Sequence, residues 1–112
     1  MKEYKKPWGS YIELYRDKNF LLKILNISPG KKISLQKHKK RSEHWTVVEG
    51  EASVVLGEKN ISLSVNDSIF VPKEEVHRIS NLTQDPLKII EIQSGEYDEN
   101  DIIRLDDMFG RA

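Results

Sequence analysis

The chain has no cysteine. That absence removes disulfide staples, thiolate zinc sites and cysteine nucleophiles together. An excess of charge of either sign is also missing, since 18 Lys and Arg balance 18 Asp and Glu over 112 residues. A general binder of nucleic acid would carry a basic excess, so no nucleic-acid partner is expected. Long apolar runs are lacking as well. Nothing approaches the roughly 20 apolar residues that span a bilayer. The stretch Met1–Tyr11 has basic residues but no apolar run behind them. No membrane partner and no secretory signal are therefore expected, and the expected location is cytoplasmic. With 38% hydrophobic and 32% charged residues, the composition is that of a folded chain and not a disordered one. The length suits a single domain, residues 1–112.

Helical periodicity is nearly absent too. Alternating or β-rich segments occur at 10–15, 20–28, 33–38, 43–49, 51–56, 61–65, 68–71, 76–80 and 87–93. Short breakers such as Ser28-Pro29-Gly30, Glu49-Gly50-Glu51 and Gln84-Asp85-Pro86 separate them. Many short strands at near-regular spacing predict an all-β sandwich or barrel. The tail from Asp98 to Met108 starts with acidic residues and carries Ile102, Ile103, Leu105 and Met108. It is expected to form one short helix or turn, with Gly110 as its stop.

The chemistry-bearing residues centre on three histidines, His38, His44 and His77. Gln36 and His38 share one strand face. Glu43 follows after the charged turn Lys39–Ser42, and a hairpin would return it beside them. His77 lies in a distant strand. Gln36, His38, Glu43 and His77 together offer mixed N and O donors that suit zinc, manganese, iron, cobalt or nickel. The plainer alternatives are satisfied strand histidines and, for Glu43, a hairpin salt bridge with Lys39 or Arg41.

The spacing of Gly30, Gln36, His38, Glu43 and Gly50 resembles the first cupin motif. Asn66, Pro72, Glu74, His77 and Asn81 resemble the second. Three positions depart: Gln36 stands where His is usual, and Asn66 and Glu74 stand where Gly is usual. Further segments sharpen the resemblance: Pro7-Trp8-Gly9, Arg41-Ser42-Glu43-His44-Trp45, Glu91-Ile92-Gln93-Ser94-Gly95 and Asp101-Ile102-Ile103-Arg104. They look like the type II mannose-6-phosphate isomerase domain, often the C-terminal part of a bifunctional enzyme with a mannose-1-phosphate guanylyltransferase in front. Gln at position 36 is usual in that branch, whereas Lys40 stands where His is common. No Gly-rich nucleotide loop occurs in these residues.

The resemblance implies a double-stranded β-helix, a jelly-roll-like barrel with a short C-terminal tail. It also implies aldose–ketose isomerisation of mannose 6-phosphate to fructose 6-phosphate. That chemistry needs an electrophile at the carbonyl, an acid/base between C2 and C1, and a cationic phosphate anchor. The implied cofactor is one divalent metal ion, zinc favoured, on Gln36, His38, Glu43 and His77. Glu91, His44 and Arg104 are the catalytic candidates. Glu91 and Gln93 alternate with isoleucines, so they face either a wet interior or solvent. Strict alternation turns His44 outward unless a bulge intervenes. Lys23, Lys40, Arg41 and Gln93 are the candidates for substrate and phosphate binding. Trp8 and Trp45 are expected in the core or as a sugar-stacking wall. A small sugar phosphate is the expected ligand, and a homodimer the expected assembly. Two readings compete with the isomerase: a cupin enzyme on another sugar or nucleotide sugar, and a non-catalytic sugar- or metal-binding module.

Overall fold

The computed structural model describes residues 2–95, 98 and 100–110. These residues form two antiparallel sheets and, among them, no helix. The strands are β1 (Glu3–Lys6), β2 (Gly9–Arg16), β3 (Phe20–Ile27), β4 (Leu35–Lys37), β5 (Arg41–Glu49), β6 (Ala52–Leu56), β7 (Lys59–Leu63), β8 (Ser68–Val71), β9 (His77–Ser80), β10 (Leu87–Gly95) and β11 (Ile103–Asp106). One sheet runs β1-β2-β3-β10-β5-β8 and the other β11-β4-β9-β6-β7. This is the all-β, double-stranded β-helix expected from the sequence.

Alternation decides what faces inward. Along β10, Leu87, Ile89, Glu91 and Gln93 are buried, while Ile92 between them is exposed. The core comes from the inward faces of both sheets, with Trp8, Leu25, Ile27, Trp45, Val47, Val54, Ile79, Leu87 and Ile89 buried together. Each such side chain contributes roughly 1.5–3 kcal/mol by leaving water. Trp8 and Trp45 both belong to this core.

The tail corrects one expectation. Its last residues form β11 and not a helix, pairing antiparallel with β4 through Ile103↔Lys37 and Arg104↔Gln36. The unpaired edge of three-residue β4 offers backbone donors and acceptors that a strand can satisfy and a helix cannot. Arg78 fastens the end of β11 by donating to both the carbonyl and the carboxylate of Asp106, each at 3.0 Å. β1 also lay outside the expected strands. Its sequence, Glu3-Tyr4-Lys5-Lys6, is too polar to show alternation, yet it pairs with β2 from Glu3↔Ile12 to Lys6↔Gly9.

Two residues explain the missing glycines of the second motif. Asn66 and Glu74 take left-handed backbone conformations, with φ of 77° and 67°. Asn tolerates that region, whereas Glu pays about 1–2 kcal/mol there. The Glu74 N–H donates to the His38 carbonyl at 2.6 Å, which ties this turn to the site.

Candidate metal centre and active-site cavity

His38, Glu43 and His77 converge inside one end of the barrel. His38 follows β4, Glu43 stands third in β5, and His77 opens β9. All three are buried, at 2%, 4% and 4% exposure. Register brings them together: Gln36 pairs with His77 across β4 and β9, and Glu43 pairs with Gln93 and Val71 across β5.

Hydrogen bonds orient both imidazoles. The Asp101 carbonyl accepts from His38 Nδ1, and the Glu75 carbonyl accepts from His77 Nδ1 at 2.9 Å. A carbonyl only accepts, so the hydrogen sits on Nδ1 in each ring and Nε2 is left to ligate. Both Nε2 atoms face Glu43, at 3.2 Å from Oε2 for His38 and 4.0 Å from Oε1 for His77. Two ligands about 2.1 Å from one ion lie at most about 4.2 Å apart. The ligand atoms of the three residues all fall within 4.8 Å of one another, so the set fits a divalent ion with little adjustment.

Electrostatics supports the same reading. Burial alone would raise the Glu43 carboxyl, but the imidazoles and the Arg41 guanidinium outweigh it and hold the group well below the usual range. Burial lowers His77, which favours the neutral, ligating ring. Trp45 Nε1 donates to Glu43 Oε1 at 2.9 Å, and its ring meets His77 edge-on with centroids 5.5 Å apart. Trp45 therefore packs as core and orients the Glu43 carboxylate at once.

Beside this group lies a cavity of about 400 Å³, large enough for a hexose phosphate. Glu91 and Gln93 line it, both 4% exposed, so the wet-interior alternative holds for this face. Burial pushes the Glu91 carboxyl from 4.5 up to about 7. The nearby Glu43 charge adds to that rise and Lys23 opposes it. Gln93 Nε2 donates to Glu91 Oε1 at 2.9 Å, while its own Oε1 is buried without a partner. Arg104 Nε is likewise buried and unpartnered at the cavity wall. Orphaned polar atoms lining a cavity point to a ligand.

The remaining candidates separate clearly. Gln36 lines the cavity with its amide nitrogen donating to the Ser34 carbonyl at 3.3 Å and the Ser34 hydroxyl at 3.1 Å. Lys23, Arg41 and Arg104 line it too, joined by Lys6 and Arg78, which sequence reasoning did not propose as site residues. Lys40 does not line the cavity. It points outward, 45% exposed, and pairs with Asp98 at 2.9 Å. His44 is corrected more firmly. No bulge interrupts β5 there, so alternation holds and His44 is exposed on the outer face. It sits in a cross-strand row with Tyr15, Leu22, Ile92 and Phe70 and cannot act as a base inside the barrel.

Asp101 is the residue that sequence reasoning missed. Its carboxylate accepts the backbone N–H groups of Lys39 and Lys40, both at 2.8 Å. Its carbonyl fixes His38. The tail thus closes over the β4–β5 turn and becomes a wall of the site through Asn100, Ile102 and Arg104. The sequence offered Asp101 only as part of a family-like segment and as an acidic residue before an apolar pair, which reads equally well as a helix start, and neither signal gave it a partner.

Comparison with known proteins assigns a family and a fold. The family described as "Mannose-6-phosphate isomerase C-terminal" matches residues 1–107. The alginate biosynthesis protein AlgA of Pseudomonas aeruginosa is 44% identical over 111 residues, covering 98% of this chain and 23% of its own length. The mannose-1-phosphate guanylyltransferase RfbM of Salmonella typhimurium is 43% identical over 110 residues, covering 97% and 23%. The chain therefore spans about a quarter of these relatives. Among solved structures, KdgF from Halomonas sp. superimposes with a TM-score of 0.81 at 18% identity, covering 88% of this chain and 92% of that one. An RmlC-like cupin from Shewanella frigidimarina gives 0.78 at 20% identity, covering 88% and 86%. At such identities the structures speak for the fold alone. The chain belongs to the mannose-6-phosphate isomerase C-terminal family and folds as a cupin.

Proposed function

We propose that this chain interconverts mannose 6-phosphate and fructose 6-phosphate. His38, Glu43 and His77, with Gln36 as a fourth donor, would hold one divalent ion. When bound, that ion supplies Lewis-acid polarisation of the sugar carbonyl. Glu91 is the acid/base. It takes the proton from C2 of the open-chain aldose and returns it to C1, while a hydroxyl proton moves from O2 to O1. A carboxyl near neutrality both accepts and releases a proton at neutral pH, the matched condition for this role. Gln93 fixes Glu91 through its amide nitrogen and offers its free oxygen to a sugar hydroxyl. Lys23, Arg41 and Arg104 form the cationic wall for the phosphate.

The observation that carries this reading is the shared cavity. A buried carboxyl at about 7 and the Glu43 and His77 members of the His-Glu-His donor set open onto one space lined by cations. The relatives' names fit such a supply role, since AlgA is an alginate biosynthesis protein and RfbM acts as a mannose-1-phosphate guanylyltransferase. A coupled assay on metal-stripped protein, with zinc, manganese, cobalt and nickel restored in turn, tests the proposal. Metal-dependent fructose 6-phosphate formation is the expected result. Stoichiometric metal binding without turnover would overturn it in favour of another sugar ligand or a binding module.

A further inference from the structure

Arg41 holds the lone pairs that a metal ion needs. Its Nε donates to Glu43 Oε2 at 3.1 Å, and a terminal nitrogen lies 3.1 Å from His38 Nε2. A guanidinium has donors only. With the His38 Nδ1 hydrogen committed to the Asp101 carbonyl, Nε2 is the acceptor in this contact. The two atoms gripped by Arg41 are 3.2 Å apart and both belong to the ligand set. Two facing lone pairs at that distance repel unless a cation bridges them, and the bridging cation here is Arg41. A divalent ion on the same atoms would take the same lone pairs and repel the guanidinium at close range. The two cations are therefore alternatives at one place. The Arg41 side chain also lines the cavity, where Lys23 and Arg104 stand ready for an anion.

We propose that Arg41 is the exchangeable counter-ion of the metal centre, and that metal binding releases it into the cavity to take an anionic ligand group. The inference rests on the metal-centre reading above and adds a coupling to it. An anion that holds Arg41 in the cavity removes the competitor and tightens metal binding. A bound ion frees Arg41 and tightens anion binding by the same factor, because linkage is reciprocal. The charge pair of Arg41 and Glu43 thus works as a latch between two ligands, beyond its service as a hairpin salt bridge.

Calorimetric titration of the metal-stripped protein with cobalt(II), with and without inorganic phosphate, tests this. Phosphate should tighten cobalt binding several-fold, within the roughly 5–150-fold range of such couplings. Cobalt should tighten phosphate binding equally. Arg41→Gln should bind cobalt more tightly than the parent chain without phosphate, and its coupling should fall toward one. Arg41→Lys keeps the charge but cannot grip both atoms, so it should bind cobalt more tightly as well. Coupling that persists in both variants would place phosphate on the ion itself and overturn the proposal. Tightening in Arg41→Gln alone would mean general charge repulsion and would overturn it too. If the parent chain binds no cobalt, the metal-centre reading falls with it. Unaltered cobalt affinity in both variants would remove only the role of Arg41.

Discussion

The two ends of the barrel interior are built from the same strands and could hardly differ more. At one end β10 contributes Leu87 and Ile89, β5 contributes Val47, and β3 contributes Leu25 and Ile27. One or two inward positions further along, the same strands present Glu91, Gln93, Glu43 and Lys23. Register keeps the ends apart. Ile89 sits between Leu25 and Val47, whereas Glu91 sits between Lys23 and Trp45. The dry end gains free energy from burial. The polar end bears the desolvation cost of carboxylates and imidazoles, which dehydration and fixed hydrogen bonds set apart from ordinary surface groups. A few residues of strand length separate stability from chemistry, and each end is testable by breaking it alone.

The largest effect is expected from the ligands. His77→Ala removes one of three converging donors and should abolish stoichiometric metal binding, and turnover with it, while the fold survives on the dry end. Metal analysis beside circular dichroism measures both. Full metal occupancy in His77→Ala would refute the ligand assignment. Next comes Glu91→Gln, which keeps size and polarity but cannot carry a proton. It should retain metal and lose turnover by roughly 10²–10⁴-fold, the usual worth of a positioned acid/base. As a base Glu91 must be ionised, so turnover should rise with pH through its titration. A bound cation nearby draws that titration down, which places the rising limb at or below about 7.

How far the sequence foresaw this comparison follows from what alternation encodes. Inward-facing Glu43, Glu91 and Gln93 alternate with outward residues, so period two placed them on one face each. It could not decide between interior and solvent for Glu91, because isoleucines flank it on both faces of the strand. The structure decides by burying Ile89 and exposing Ile92. The spacing of His38, Glu43 and His77 was legible because the β4–β5 turn is short and two motifs fix its ends. The tail was not legible. Whether Ile102, Ile103 and Leu105 form a helix or an edge strand depends on β4 having a free edge, a tertiary fact. Arg78 was silent for the same reason, since its partners Ile33 and Asp106 lie 45 and 28 residues away.

A third prediction sets neighbouring inward positions of β10 against each other by stability. Ile89→Ala should cost about 2–5 kcal/mol by urea unfolding, with no dependence on pH. Glu91 acts in the opposite sense. Its folded-state carboxyl titrates at about 7, above its ordinary 4.5. Below 4.5 both states hold the proton and no penalty arises. As pH rises toward 7 the unfolded chain loses its proton first and is favoured, so metal-free stability falls across that window. The loss reaches on the order of 3 kcal/mol at the alkaline end. Glu91→Gln should therefore flatten the profile and leave the metal-free protein more stable at pH 8. A parallel profile in the variant would show that Glu91 titrates alike in the folded and unfolded chain, and that burial does not raise it.

The smallest effect should come from the wall that closes the polar end. Asp101 never touches the ligand atoms with its side chain, yet its carboxylate holds the Lys39 and Lys40 N–H groups and so sets its own carbonyl against His38. Asp101→Ala leaves those two donors to water and loosens the tail. The His38 ring then loses its fixed tautomer and aim, and metal affinity should weaken about tenfold, the lower range for partners behind a ligand. Asp101→Asn keeps one acceptor oxygen and should fall between the two. Equal metal affinity in all three chains would mean that β4 and the β4–β5 turn hold His38 unaided. The polar end would then owe its geometry to the same strands as the dry end, and the tail would serve only as a cover.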